Sequence, residues 1–353
     1  MSERIARIKK LADIPGVSGA EDAVRQEIIT QIQDHCERLG TDPLGNLIAF
    51  KKGIKTPVNQ IMLAAHMDEV GFIITHIEES GMLRFAPVGG IDSRVMFGKG
   101  VEVGPRRTPG VVGGKAVHHL SKEEKEAAPG WDKLLIDIGA VNREEAEELV
   151  ALGDRATFAG SFAEFGQNLL MGKALDDRAG CALLIELLRA PLPYDCHFAF
   201  TVLEEAGCIG AKTAGYTVAA DIAIVVETTT AADIGDTSPD QQICKLGSGP
   251  VVTYMDKGTV YDKGLYDLAF AVAAKQNLKC QTKSAIAGGN DARAIQVAGR
   301  GARVTAISLP CGYLHSPSLV ISKDDLAETV KLLCAMIEEI GKMEETNRAP
   351  GIF

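Results

Sequence analysis

Acids and imidazoles in this chain recur where a run of apolar residues has just ended. His66 and Asp68 follow IMLAA, and Asp176 and Asp177 follow MGKAL. Glu204 and Glu205 follow CHFAFTVL, Glu227 follows DIAIVV, and His315 stands a short loop beyond VTAISLP. A lone His-x-Asp or a lone acidic pair is ordinarily a solvated turn or helix start. Recurrence in one context changes that reading, because the carboxyl ends of strands in an open α/β sheet line a common crevice. Carboxylates and imidazoles meeting there make a mixed oxygen and nitrogen donor set suited to zinc, cobalt or manganese. One carboxylate can bridge two ions about 3.5–4 Å apart, which acidify a water and polarise a carbonyl. A neighbouring carboxylate outside the ligand set can move the proton. In the pair Glu204–Glu205 one can ligate while the other acts as base. Asp68, two residues past His66, can accept from the far imidazole nitrogen and fix its tautomer. These residues alone support a metal hydrolase, with peptide, sugar and phosphate ester all open.

Other candidates are weaker. His118 and His119 adjoin a polar loop with no carboxylate at ligand spacing, and Cys208 has no nearby histidine to activate it. The stretches GSGP at 247–250 and GG at 288–289 continue into neither a P-loop nor a dinucleotide fingerprint. They suit a backbone that approaches the site closely.

The elements that must position the acids follow from periodicity. Residues 4–39 read as helical, with Val24, Ile28, Ile29 and Ile32 at helical spacing, Ser18 as a candidate cap and Gly40 ending the run. IMLAA reads as a buried strand. Residues 73–161 change texture to short apolar runs among many glycines, with a short acidic helix at REEAEELVALG. From 175 onward α/β texture returns: a helix through ALDDRAGCALLIELLRA, strands at CHFAFTVLEE, DIAIVVETT, CQTKSAIAGG and VTAISLP, a helix at NDARAIQVAG, and a last helix capped by Ser322. The order predicts an α/β core, 1–72 and 162–353, interrupted by a β-rich insert at 73–161.

Bulk properties set outer limits. A chain of 353 residues that is 46% hydrophobic is long enough for two domains. A formal charge of −10 disfavours nucleic acid and anionic membrane as partners. The first residues are charged, without the apolar segment of a signal peptide, and no run of about 18 apolar residues would span a bilayer. Eight scattered cysteines without a CxxC read as free thiols in a reducing cytoplasm.

The motifs PGVSGAE (15–21), AAHMDEVGF (64–72), GGIDSRVMFGKGVEV (89–103), GKALDDRAG (172–180), VLEEAGCIGA (202–211), GGNDARAIQ (288–296) and GYLHSPS (312–318), in this order, resemble the M42 family of metallo-aminopeptidases. The resemblance spans essentially the whole chain. It implies a phosphorylase/hydrolase-like α/β metallopeptidase core carrying a PDZ-like dimerisation domain. It further implies dimers built into a dodecamer, short peptides as substrates, and two divalent ions per subunit, zinc or cobalt before manganese. Carried onto this sequence, His66, Asp176 and Glu227 hold one ion, and Asp176, Glu205 and His315 the other. Glu204 is then general base and acid, Asp68 orients His66, and Asp177 follows the bridging Asp176 through a cis peptide. Three positions depart from the family pattern: Glu227 stands for aspartate, Asn290 for threonine and Gly312 for arginine. Competing readings are an endoglucanase-type polysaccharide hydrolase and a non-enzymatic metal-binding scaffold.

Overall fold

The structure is a computed structural model, and it describes residues 2–344. Helices α1 (Glu3–Ala12) and α2 (Asp22–Ile32) lead into strands β1 (Arg38–Thr41), β2 (Leu47–Lys51) and β3 (Ile61–His66). The next strands are β4 (Gly71–Ile77), β5 (Leu83–Val88), β6 (Gly100–Val103), β7 (Thr108–Gly114), β8 (Leu134–Asp137) and β9 (Arg155–Phe158). Two short helices, α3 (Lys122–Glu126) and α4 (Arg143–Leu149), lie among them. The chain then forms β10 (Ala163–Phe165), β11 (Leu169–Gly172), α5 (Leu175–Arg189), β12 (Cys196–Thr201), α6 (Ile209–Val218) and β13 (Ile222–Thr230). It ends with β14 (Val251–Val252), α7 (Lys263–Lys275), β15 (Gln281–Thr282), α8 (Ala292–Ile295), β16 (Arg303–Cys311), β17 (Leu319–Ser322) and α9 (Lys323–Gly341).

Strands β1, β2, β12, β3, β13, β16, β14 and β15 form one sheet in that order. Its centre, β12–β3–β13–β16, is parallel. Period-2 alternation explains why β3 reads as an unbroken apolar run. Ile61, Leu63 and Ala65 face the cluster built with α1, α2, α5, α7 and α9, while Met62 and Ala64 face a second cluster under α6 and α8. Both faces are covered, so neither parity can be polar. Strands β4 to β9 close into a separate barrel. Phe72 fills it, meeting Phe85 and Phe158 edge-on at ring centroids 5.1 and 5.2 Å apart. The α/β core with a β-rich module is thus the architecture that the alternating texture predicts.

Several local expectations change. Ser18 does not cap α2: the cap position is Glu21, without a side-chain cap bond, and Ser18 donates to Asp68 instead. Gly40 lies inside β1, because the first long run is two helices and an edge strand. CQTKSAIAGG yields only the two-residue β15, and NDARAIQVAG only the four-residue α8. Both flank the site, where glycine-rich turns outweigh propensity.

One buried ion pair joins the barrel to the core. Glu69 sits between β3 and β4, and both its oxygens accept from Lys173 Nζ at 2.9 Å. The same carboxylate accepts from Gly16 N at 3.0 Å and from Thr157 Oγ1, on β9, at 2.9 Å. The side chains of Lys173 and Glu69 are 5% and 3% exposed. Removing one partner strands a buried charge. Glu69→Ala is therefore expected to lower unfolding free energy by about 3–5 kcal/mol, with the doubly apolar Glu69→Leu/Lys173→Met recovering only part of it, because the buried Arg178, 3.7 Å from Glu69, also loses its carboxylate. Urea unfolding midpoints at fixed pH test this, and a loss below about 1 kcal/mol for the single variant would show that water reaches the pair.

Candidate metal centre

The sheet's topology collects the acids. The chain passes from β3 to β12 on one side and then crosses to β13 on the other, so the crevice opens at the carboxyl end of β3. His66 is the last residue of β3, and Glu204 and Glu205 follow β12. Glu227 does not end its strand as expected. β13 runs on to Thr230, still paired with β16, but its pairing with β3 stops at Val225. Glu227 therefore stands where two neighbouring strands part. Asp176 and Asp177 open the nearly wholly buried α5 with non-helical backbone, joined by a cis peptide. The loops carrying the site hold Ala174, Leu203, Cys208, Tyr313 and His315 at positive φ between 52° and 59°. Such left-handed non-glycine residues are costly and concentrate where a site fixes them.

The imidazoles are aimed by backbone carbonyls. His66 Nδ1 lies 3.1 Å from the Asp68 carbonyl oxygen, and His315 Nδ1 lies 2.9 Å from that of Gly90. A carbonyl only accepts, so Nδ1 carries the proton and Nε2 turns its lone pair inward. His66 Nε2 lies 3.4 Å from Asp176 Oδ1 and 3.4 Å from Glu227 Oε1. His315 Nε2 lies 3.4 Å from Asp176 Oδ2 and 3.3 Å from Glu205 Oε1. A lone pair facing carboxylate oxygens needs a proton or a cation between them. Tetrahedral ligands about 2.1 Å from one ion stand roughly 3.4 Å apart. The buried Asp176 Oδ1 has no hydrogen-bond partner, which fits convergence on an ion better than direct bonding. Asp177 is also close: a donor atom from each of His66, Asp177 and Glu227 lies within 4.8 Å of the others. Its Oδ1 accepts from Gly180 N, while its buried Oδ2 has no partner.

Asp68 is tied differently from the simple expectation. Its carboxylate is 3.4 Å from His66 Nδ1, but shorter bonds go elsewhere. Oδ2 accepts from Ser18 Oγ at 2.6 Å and Glu205 N at 3.0 Å, and Oδ1 from Glu204 N at 3.0 Å. The residue thus fixes the backbone of both glutamates as well as standing behind His66. Burial pushes the carboxyl groups of Glu204 and Glu205 upward and that of Glu227 to about 8. Burial opposes ionisation of Asp176 too, but the facing His315 and His66 imidazoles prevail and hold it well below the usual range. Burial would lower His315, but Asp176 and Glu205 outweigh it and carry the imidazole to about 11. So much buried negative charge calls for positive charge among these donors.

Sequence reasoning missed the placement of Asp291, Gly89 and Gly90, and read Cys208 only as an unactivated thiol. Asp291 is buried, and it groups with Glu204 and Cys208, their donor atoms within 4.8 Å of one another. Cys208 Sγ donates to Glu204 Oε1 at 3.3 Å. Gly90 belongs to the segment leading out of β5, far in sequence from the His315 that it holds. At Gly89 (φ 87°) a Cβ would stand 3.0 Å from Glu205 Oε2, so this turn must stay bare for the Glu205 side chain to fit. The GG of GGIDSRV was the available signal, but only the fold says what it touches. His118 and His119 stay outside this centre, their rings 4.1 Å apart and tilted by 50° in a short 3-10 turn of the barrel segment.

An open α/β sheet with this donor cluster at its switch point defines a metal-dependent hydrolase. The sequence pattern of the family described as M42 glutamyl aminopeptidase matches residues 45–332. A lysyl aminopeptidase of Pyrococcus furiosus is 32% identical over 96% of this chain and 98% of its own. Among solved structures, an aminopeptidase from Desulfurococcus kamchatkensis superposes with a TM-score of 0.90 at 33% identity, covering 96% of this chain and 95% of that one. The Pyrococcus horikoshii TET1 peptidase, described as assembling into a tetrahedron or a large octahedral shell, gives 0.84 at 36% identity over 96% and 100%. This chain belongs to the M42 family of metallo-aminopeptidases. It is a metal-dependent exopeptidase that removes the N-terminal residue from peptides.

Because the cluster is buried and acidic, ion binding should be linked to folding. Chelation is expected to lower the thermal midpoint, and added zinc or cobalt to restore it. Ligand at 100 times its Kd corresponds to about 2.7 kcal/mol. Calorimetry of the chelated and reloaded protein checks this, and a midpoint indifferent to both treatments would contradict ion binding at this cluster.

Proposed function

We propose that His66, Asp176 and Glu227 hold one divalent ion and that Asp176, Glu205 and His315 hold a second, with Asp176 bridging. The observation carrying this reading is that the two oxygens of Asp176 each face a different imidazole, at 3.4 Å on either side. Bound there, zinc or cobalt (manganese also suits the donors) would polarise the scissile carbonyl and acidify the attacking water.

The chain's own groups do the rest. The carboxylate-rich floor attracts the protonated amine of a short peptide, which restricts attack to the first peptide bond. Glu204 is the proton carrier. It is half of a pair whose other member ligates, and no ion pair neutralises it among the described residues. Burial holds its carboxyl well above the ordinary range, so it can take the water's proton and release it to the leaving amine. Asp68 holds the Glu204 and Glu205 amides and backs His66, so it positions base and ligands together. A polysaccharide substrate finds less here. The acids are spent on ions or on Glu204's role, and the single tryptophan, Trp131, packs against Phe72 and Phe85 in the barrel.

We further read residues 1–72 and 162–353 as the catalytic domain, and 73–161 as the dimerisation domain through which dimers build a dodecamer. Exposed Phe97, Val111 and Val117 in the barrel segment support an interface there. A cytoplasmic location accords with eight free cysteines, five of them buried. No helix among the described residues is long and apolar enough to cross a membrane.

Glu204→Gln keeps size and hydrogen bonding but removes the titrating group. It is expected to reduce kcat by about 10²–10⁴-fold while retaining both ions. Steady-state rates on an aminoacyl-p-nitroanilide, with metal content measured on the same sample, decide it. Near-full turnover in the metal-loaded variant would remove Glu204 from the mechanism. Native mass spectrometry checks the assembly: twelve copies of the 37.5 kDa chain are expected, and a stable monomer would refute the oligomer.

A further inference from the structure

A second convergence of donors lies next to the proposed ion pair. A donor atom from each of Glu204, Cys208 and Asp291 lies within 4.8 Å of the other two. None of the three belongs to the ligand set proposed for the pair. Glu204 and Cys208 line the cavity of about 430 Å³ above the centre, so an ion can reach them from solvent.

Hydrogen bonding leaves this corner one donor short. The Cys208 thiol has a single proton, which it gives to Glu204 Oε1 at 3.3 Å. Asp291, 1% exposed, accepts on Oδ2 from Thr201 Oγ1 at the end of β12. Its other oxygen, Oδ1, is buried without a hydrogen-bond partner. Such orphaned oxygens are costly and mark places where an ion or water completes the structure. Two carboxylates packed around one thiol need more positive charge than a thiol proton supplies. The frame holds these donors still. Cys208 stands at φ 59° just before α6, and its amide and that of Gly207 both donate to the Glu204 carbonyl at 2.8 Å. Asp291 precedes α8, and its carbonyl accepts from Ile295 N at 3.0 Å.

The donor types say which ion fits. A thiolate beside two carboxylates suits zinc, whereas magnesium and manganese favour oxygen alone. With Zn–S about 2.3 Å and Zn–O about 2.1 Å, tetrahedral ligation sets sulfur and oxygen roughly 3.6 Å apart. Cys208 Sγ and Glu204 Oε1 already stand 3.3 Å apart. Three protein ligands leave a fourth position for water from the cavity. Burial pushes the Cys208 thiol up, so an entering ion must displace its proton, and that weakens the hold.

We propose that Glu204, Cys208 and Asp291 form a third zinc site, weaker than the pair, that fills when zinc is in excess. On filling, the thiol proton leaves to solvent and the sulfur's electron pair goes to the ion. Glu204 is then tied up as a ligand and withdrawn from proton transfer. This last consequence, unlike the site itself, rests on the proposed role of Glu204.

Equilibrium dialysis of the full chain against rising zinc should end at three ions per subunit, and at two in Cys208→Ser. With cobalt in place of zinc, a near-ultraviolet thiolate-to-cobalt charge-transfer band reports this site alone, because the pair has no sulfur donor. The band should grow with the third equivalent, weaken in Asp291→Asn and vanish in Cys208→Ser. Excess zinc should slow turnover of an aminoacyl-p-nitroanilide, and Cys208→Ser should raise the inhibitory concentration at least about tenfold. Uptake that ends at two ions in the wild type, or a band of unchanged intensity in Cys208→Ser, would overturn the proposal. The wild-type stoichiometry needs no variant, so a poorly folding variant does not spoil the test. A third ion that binds without slowing turnover would keep the site and remove Glu204 as proton carrier. If no anilide is cleaved at all, the aminopeptidase reading fails, while stoichiometry and band still decide the site.

Discussion

Burying negative charge is the constraint around which this molecule is arranged. His66 and His315 each give one nitrogen to a backbone carbonyl and present the other to two carboxylate oxygens. That geometry is repulsive unless positive charge lies between, so the centre is unstable by itself and stable around cations. The surrounding fold supplies stiffness. A helix buried on nearly every side carries Asp176, three parallel strand ends or their loops carry His66, Glu204, Glu205 and His315, and strained left-handed residues hold the loops in register. Without that rigidity the carboxylates would turn to solvent rather than stay 3.4 Å from the imidazoles.

Two adjacent acids divide the supporting work. Asp68 faces the centre and ties the N-terminal segment, through Ser18, to the backbone of Glu204 and Glu205. Glu69 faces away and ties the same segment to β9 of the barrel and to Lys173 before α5. The turn after β3 therefore connects the Glu204–Glu205 pair to the barrel within two residues. The barrel segment is also part of the site's frame, since Gly90 orients His315 and Gly89 makes room for Glu205.

The acids at strand ends were legible because their context is local: an apolar run, then a carboxylate or imidazole. The parallel centre of the sheet was legible for the same reason, since residues buried on both faces leave no polar alternation in β3 or β13. Partners assigned at a distance were not. Ser18 and Glu21 have the spacing of a capping box, but a buried carboxylate 50 residues away competes better for the hydroxyl than the helix's own amide. Asp291 lies in a motif that matched the family pattern, yet nothing near it in sequence indicates Glu204 and Cys208 as neighbours. Lys283 reads as an ordinary lysine in a polar stretch. Only the fold shows that its side chain is buried with its Nζ donating to the Ala287 carbonyl.

The departure at Glu227 shows how a local change can be absorbed by the frame. A glutamate reaches one methylene further than aspartate, which would carry its oxygens past an ion placed for the shorter arm. Here the side chain folds back on its own strand: Oε1 accepts from Thr228 N at 2.9 Å while staying 3.4 Å from His66 Nε2. The residue sits where β13 has parted from β3. Glu227 and Lys283 line the same cavity. Glu227 thus keeps its place beside His66 by bonding to its own strand.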